Sequence, residues 1–207
     1  MQYLGAALAA DGRIDSELSR KLGAASADFR QLRALWSHAG ITLVKKLVYF
    51  ESMVVSKLQY GLATTWLVTS QRRRVDGFYA RCLRQILRIP PAFVSRTSNA
   101  RVFARAAVVP FTQKLLQRQL VLLGKAAHSN ADHPLRRDTF GRDGCIPLVG
   151  RFVRRIGRPR QDWTSQVLAE AQRLFGCRRC QTLLADRSPG AKKRWNAEVQ
   201  RVCRTSF

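Results

Sequence analysis

The sequence predicts a mainly α fold: an N-terminal β-hairpin, a three-helix bundle and a looser helical C-terminal region. Three observations predict it. Apolar residues recur at steps of three and four, which keeps them on one face of a helix. The first helical segments are joined by short connections, which makes successive helices antiparallel neighbours. Gly and Pro signals at Asp11-Gly12, Ala39-Gly40, Pro90-Pro91 and Pro189-Gly190 mark the breaks between segments.

In chain order, Tyr3 to Leu8 reads as a strand, Asp11-Gly12 as a tight turn and Arg13-Ile14 as a short return strand. Asp15 is the expected N-cap of the first helix, and Glu17 in its first turn suits the positive helix end. That helix carries Leu18, Leu22, Ala25, Phe29, Leu32 and Trp36 on a bundle-type seam. It ends near Ala39-Gly40, with Gly as the C-cap. The second helix carries Leu43, Leu47, Phe50, Val54, Leu58, Leu62 and Trp66; Gly61 within it is costly unless something packs close. Thr69 or Ser70 caps the third helix. Its apolar face is Val75, Phe78, Tyr79, Cys82, Leu83, Ile86 and Leu87, and Pro90-Pro91 stops it.

Ser98 or Asn99 caps a further helix over Val102, Phe103 and Ala106, interrupted by Pro110. Another carries Leu116, Leu120, Leu123 and Ala127 and ends near His128. Residues 129–161, rich in Gly, Pro, Asp and Arg, read as a long basic loop. A helix with Trp163, Val167, Ala171 and Leu174 on one face follows. The last helix, after Pro189-Gly190, carries Ala191, Trp195, Val199 and Val202. The expected segments are a hairpin (1–14), a three-helix bundle (15–91), additional helices (92–128), the basic loop (129–161) and C-terminal helices (162–207). No internal repeat is visible.

Charge bounds the partners. The 207 residues include 37 Lys and Arg against 13 Asp and Glu, a formal net charge of +24. Self-repulsion of that size invites a polyanion, with nucleic acid first and an anionic membrane surface second. The sharpest feature is the third helix. Arg74, Arg81, Arg84 and Arg88 share one side over roughly three turns, with Arg72 and Arg73 at its start. A solvated face normally mixes in acids, and here only Asp76 interrupts, so phosphate binding is favoured over a plain solvated face.

The chemistry of enzymes is less evident. No two acidic residues are adjacent, whereas two-metal phosphoryl chemistry needs converging carboxylates. There is no Gly-rich phosphate loop and no nucleophile elbow. His38, His128 and His133 sit beside no plausible nucleophile. Cys177-x-x-Cys180 is half a zinc site at best, with Cys203 the only later thiol. We therefore expect no catalytic residues, no cofactor and no metal. Cys82, Trp36 and Trp66 fall on apolar faces and are expected in the core. No apolar run spans a membrane and no signal peptide is read, so an intracellular chain with reduced thiols and no membrane partner is expected. Nothing in the sequence sets the oligomeric state.

Several motifs fall in a familiar order. They are Tyr3-Leu4-Gly5 through Asp11-Gly12, Tyr60-Gly61 followed by Trp66, Phe78 with Arg81-Cys82-Leu83-Arg84 and Ile86-Leu87, Thr97-Ser98-Asn99, Leu123-Gly124, and Gly157-Arg158-Pro159-Arg160-x-x-Trp163. From Tyr3 to about Leu174 this order resembles the region after the catalytic palm in LINE-type (non-LTR) retrotransposon reverse transcriptases. The resemblance implies that Tyr3, Leu4 and Gly5 form a primer-grip-like element and that the three-helix bundle is a thumb closing over a primer–template duplex. It implies that Arg158 and Arg160 join the helix-three arginines in holding nucleic acid. It also implies an RNA-directed DNA polymerase fragment that binds primer–template or RNA without the catalytic palm, not an enzyme by itself, and nuclear if functional. Departures are present. The family's paired aspartates belong upstream of Tyr3, Lys125 stands where the family usually has His, the Cys/His knuckle is not completed, and nothing after Cys177 matches. The alternatives are a stand-alone basic helical scaffold or assembly protein and a non-functional remnant of a decayed element.

Overall fold

The computed structural model describes residues 14–140 and 162–205, with the backbone of the paired segments β1 (Gln2–Tyr3) and β2 (Ala6–Ala7). The protein is mainly helical and divides into two compact units, residues 1–114 and 115–207.

The described residues do not support the expected hairpin. Tyr3 pairs antiparallel with Ala6 and Gln2 with Ala7, not with the expected return strand at Arg13-Ile14. Ile14, expected in the return strand, is instead the residue that starts the first helix: it has αR backbone angles and its carbonyl accepts from Leu18 N at 2.8 Å. Leu4, Gly5, Asp11, Gly12 and Arg13 lie outside the described residues.

In the first unit, α1 (Asp15–Gln31) and α2 (Arg33–Ser37) replace the single expected helix, with the break at Leu32. Asp15 does not cap. Its carboxylate accepts from Gln71 Nε2 at 2.9 Å, which ties α1 to the start of the third long helix. Gly40 does not end α2 either, because the extended residue after it is His38. Leu18, Ala25, Phe29 and Trp36 are buried as the seam requires. Trp36 stacks on Phe29 at 5.1 Å and donates Nε1–H to the Phe29 carbonyl at 2.8 Å, so a large apolar side chain is buried with its one polar atom satisfied.

The second expected helix is also divided. Thr42 caps α3 (Leu43–Phe50), a π-helical turn follows (Glu51–Val55), and α4 (Ser56–Gln59) ends it. Within the inserted turn Val54 and Val55 are both buried. Gly61 is not inside the helix: it has a φ of +74° just past its end, a conformation that costs glycine little and other residues more. Leu43 is 40% exposed, so the apolar stripe is buried only from Phe50 onward.

Helix α5 (Thr69–Ile86) begins at Thr69 itself; Gln71 Oε1 accepts from Val68 N at 3.0 Å in place of a hydroxyl cap. Val75, Phe78, Tyr79, Cys82, Leu83 and Ile86 are buried on its predicted apolar face. The helix stops four residues before Pro90, through Arg88, whose φ is +55°. Then come α6 (Ala92–Ser95) and α7 (Asn99–Ala106), the latter capped by Ser98 Oγ and burying Val102, Phe103 and Ala106.

Helix α8 (Phe111–Ala127) begins in the first unit and continues in the second. In the second unit, α9 (Pro134–Phe140) lies within the stretch expected to be a loop, and its Arg136 donates to the carbonyls of Ala127 and Ser129. Asp162 caps α10 (Trp163–Phe175), Gly176 turns the chain at a φ of +84°, and α11 (Cys177–Ala185) and α12 (Ala191–Thr205) follow. Ala191, Trp195, Val199 and Val202 are all buried, and Trp195 is the largest fully buried side chain among the described residues. No helix among the described residues is long and apolar enough to cross a membrane.

Candidate nucleic-acid interface

The arginines of α5 fall into three environments. Arg73, Arg74 and Arg81 are exposed. Among the described residues Arg73 and Arg81 make no hydrogen bond or ion pair, and Arg74 donates Nη2–H to Ser19 Oγ at 2.9 Å. Arg72 is half-buried, with its guanidinium 4.1 Å from the centroid of the Trp66 ring and Nε donating to the Leu67 carbonyl. That contact explains why Trp66 is only partly in the core.

Arg84 is the correction. It is 5% exposed and lies outside the stripe. Three residues of helix rotate it about 60° from Arg81, enough to leave the solvent face. Its Nη2 donates to the Thr97 carbonyl at 2.6 Å and to Asn99 Oδ1 at 3.2 Å, and Nη1 lies 3.5 Å from the Pro90 carbonyl. It therefore clamps the chain after Pro90 onto the last turns of α5. Arg88 is exposed but sits past the helix end, donating to the Ser37 carbonyl at 2.9 Å. Tyr3 has only its backbone described, and Leu4, Gly5, Arg158 and Arg160 lie outside the described residues.

What collects the exposed arginines is a groove of about 740 Å³ in the first unit, between α1, α5 and the segment from Pro91 to Asn99. Arg73, Arg74 and Arg81 line it, and Arg84 reaches it from behind. No carboxylate lines it among the described residues. Asp76, the one acid of α5, is held elsewhere: its two oxygens accept from Thr112 N at 3.0 Å and Thr112 Oγ1 at 2.7 Å. The floor is apolar, with Leu22 and Phe78. Two helix-interior glycines, Gly23 and Gly77, also line it, and an added Cβ at either meets nothing within 4 Å. Phe93 stands at its edge, 85% exposed.

Sequence reasoning did not reach Gly23, Gly77 or Phe93. The available signal was two glycines inside strongly helical stretches, each of which weakens a helix unless the missing side chain serves a purpose. It also did not reach the buried polar groups. Lys46 donates Nζ to the Trp36 carbonyl at 2.9 Å, and Lys21 donates to the Tyr60 carbonyl, so each buried ammonium satisfies a carbonyl at a segment end. Tyr79 donates its hydroxyl to Glu51 at 2.6 Å, and Lys114 donates to both. Burial, reinforced by the Glu51 hydrogen bond, pushes the Tyr79 phenol far above its usual range, so it stays protonated.

The thiols divide by burial. Burial pushes Cys82 up to about 12 and Cys180 up to about 11, whereas Cys177 is exposed at the start of α11. Among the described residues no group of three or more His, Cys, Asp or Glu is placed to hold a metal ion. No protein-family model, no curated protein and no solved structure matches the chain.

Proposed function

We propose that the chain binds nucleic acid chiefly through its phosphates. In this reading it is the primer–template or RNA-binding portion of a non-LTR-type RNA-directed DNA polymerase, and the bundle of the first unit acts as a thumb. The order of motifs from Tyr3 to Trp163 supports the family. The groove supports the binding: Arg73, Arg74 and Arg81 converge there with no carboxylate among its described lining residues. Guanidinium groups free of ion pairs are available for bidentate phosphate contacts, and they lose least on leaving water because guanidinium is weakly hydrated. Phosphate contacts position a strand without reading its sequence, so affinity should vary little with base composition.

Salt dependence tests the reading. Each phosphate neutralised contributes roughly 0.7 to 0.9 to the slope of log affinity against log salt. The triple variant Arg73→Ala, Arg74→Ala, Arg81→Ala removes exposed side chains only, so circular dichroism should be unchanged. Its slope should fall by roughly 2 to 3 and its affinity with it. An intact fold with unchanged slope and affinity would sink the reading.

A further inference from the structure

We propose that the groove between α1 and α5 takes an unpaired nucleotide strand, with a base stacked on Phe93 and its phosphates on Arg73, Arg74 and Arg81. The inference rests on the nucleic-acid reading above and narrows it from polyanions in general to single strands.

Phe93 motivates it. Phe93, 85% exposed, lines the same groove as apolar Leu22 and Phe78 and leaves its ring surface in water in the free chain. Arginines around an exposed aromatic ring form the two halves of a single-strand site: charge that tracks the backbone and a platform for the bases. Stacking tolerates any base, because every base has a π face. It does not reach the internal pairs of a duplex, in which both faces of each base are already covered by neighbours.

The size of the groove agrees. About 740 Å³ is the volume of a site for one drug-sized ligand, which accommodates one or two nucleotides of a single strand. Gly23 and Gly77 keep it open. An added Cβ meets nothing at either position, so neither glycine is required by packing against the rest of the chain. Each weakens its helix relative to alanine, and the space each leaves is the groove itself. The buried Arg84 contributes differently: by holding Thr97 and Asn99 it fixes the segment that carries Phe93. It is a positioning residue rather than a contact.

The test uses the full chain, a fluorescein-labelled twelve-nucleotide oligothymidylate and a blunt duplex of equal length, with affinities read by anisotropy over a salt series. Phe93→Ala removes no charge and a side chain that is already in water. It should weaken the single strand about tenfold and leave both the salt slope and the duplex affinity unchanged. Phe93→Tyr should restore single-strand binding, since it keeps the ring. Gly77→Leu fills the groove at constant charge, and it should weaken the single strand by tenfold or more with helix content maintained. If Phe93→Ala and Gly77→Leu both bind the single strand as the unaltered chain does, the inference is overturned. The phosphate reading then still stands if the arginine triple variant loses slope. If Phe93→Ala weakens single strand and duplex equally, stacking on an unpaired base is excluded. If the unaltered chain binds neither probe, both readings fall together.

Discussion

The indole of Trp195 occupies the place of the side chain that Gly124 lacks. A Cβ on Gly124 would stand 2.1 Å from Trp195 Cδ1 and 2.2 Å from Nε1, far inside contact distance. The same Nε1 donates to the Leu120 carbonyl at 2.8 Å, one turn earlier in α8. Phe175 meets the ring edge-on at 5.2 Å. Gly124 is therefore a slot in α8 that lets a fully buried tryptophan of α12 reach the helix backbone, and it closes the core of the second unit.

The first prediction follows from that slot. In an exposed helix interior Gly→Ala gains about 1 kcal/mol. At Gly124 the sign reverses, because the methyl group must displace a ring that has nowhere to go; overpacking of this kind costs about 1–3 kcal/mol. Gly124→Ala should lower the melting temperature of the second unit. Combining it with Trp195→Leu should give less than the sum of the two losses, since the clash is then gone. Thermal denaturation of the single and double variants reads this directly, and strict additivity would show that the two residues do not share the slot.

Arg84 and Arg81 carry the same charge three residues apart and should behave oppositely. Arg81→Ala removes an exposed side chain with no hydrogen bond or ion pair among the described residues and should change stability by less than about 0.5 kcal/mol. Arg84→Ala removes a buried side chain and its hydrogen bonds to the half-buried Thr97 carbonyl and to Asn99, with a cost of about 1–3 kcal/mol. Arg84→Lys should recover little, because a point ammonium cannot serve acceptors that a planar guanidinium spans. Urea unfolding of the three variants separates these outcomes. Equal midpoints for Arg81→Ala and Arg84→Ala would mean that the burial of Arg84 contributes nothing.

Residue periodicity carried most of what was legible in the sequence, and it did so where one face of a helix is buried along its whole length. The apolar faces of α5 and α12 read directly from steps of three and four, because Val75 to Ile86 and Ala191 to Val202 each meet core on one side only. Three features did not follow from it, each for a physical reason. The break at Glu51–Val55 shifts facing by an inserted residue, which the spacing before and after does not announce. Ser98 caps as its residue type implies, whereas the caps of α1 and α5 differ from expectation because Asp15 and Gln71 find each other across the bundle, where tertiary contacts override local preference. The arginine stripe was half legible: helical geometry grouped the side chains, but which of them meets solvent depends on the chain after Pro90 folding back over α5. Phe93 shows the same limit, since a lone aromatic after a Pro-Pro pair carries no periodic signal.

Glu198 makes the stability of the second unit depend on pH. It is 6% exposed, and Arg201 and Arg179 both hold its carboxylate, with Arg201 Nη2 at 2.6 Å and Arg179 Nη2 at 3.0 Å. The Arg201 hydrogen bond, aided by the charge of both guanidinium groups, lowers the carboxyl below its ordinary value of 4.5 in spite of burial. The folded chain therefore binds the proton less readily than the unfolded chain does. The stabilisation is present in full above the ordinary value and is lost as pH falls through the lowered one. A neutral glutamine keeps the shape and part of the hydrogen bonding but cannot titrate. Glu198→Gln should thus be less stable than the unaltered chain at pH 7, and the gap should close as pH falls from 5 towards 3. Urea unfolding of the second unit, followed across that range, measures the gap. A gap that stays constant with pH would mean that the folded protein does not shift Glu198 and that its arginines contribute only hydrogen bonds to a group that titrates normally.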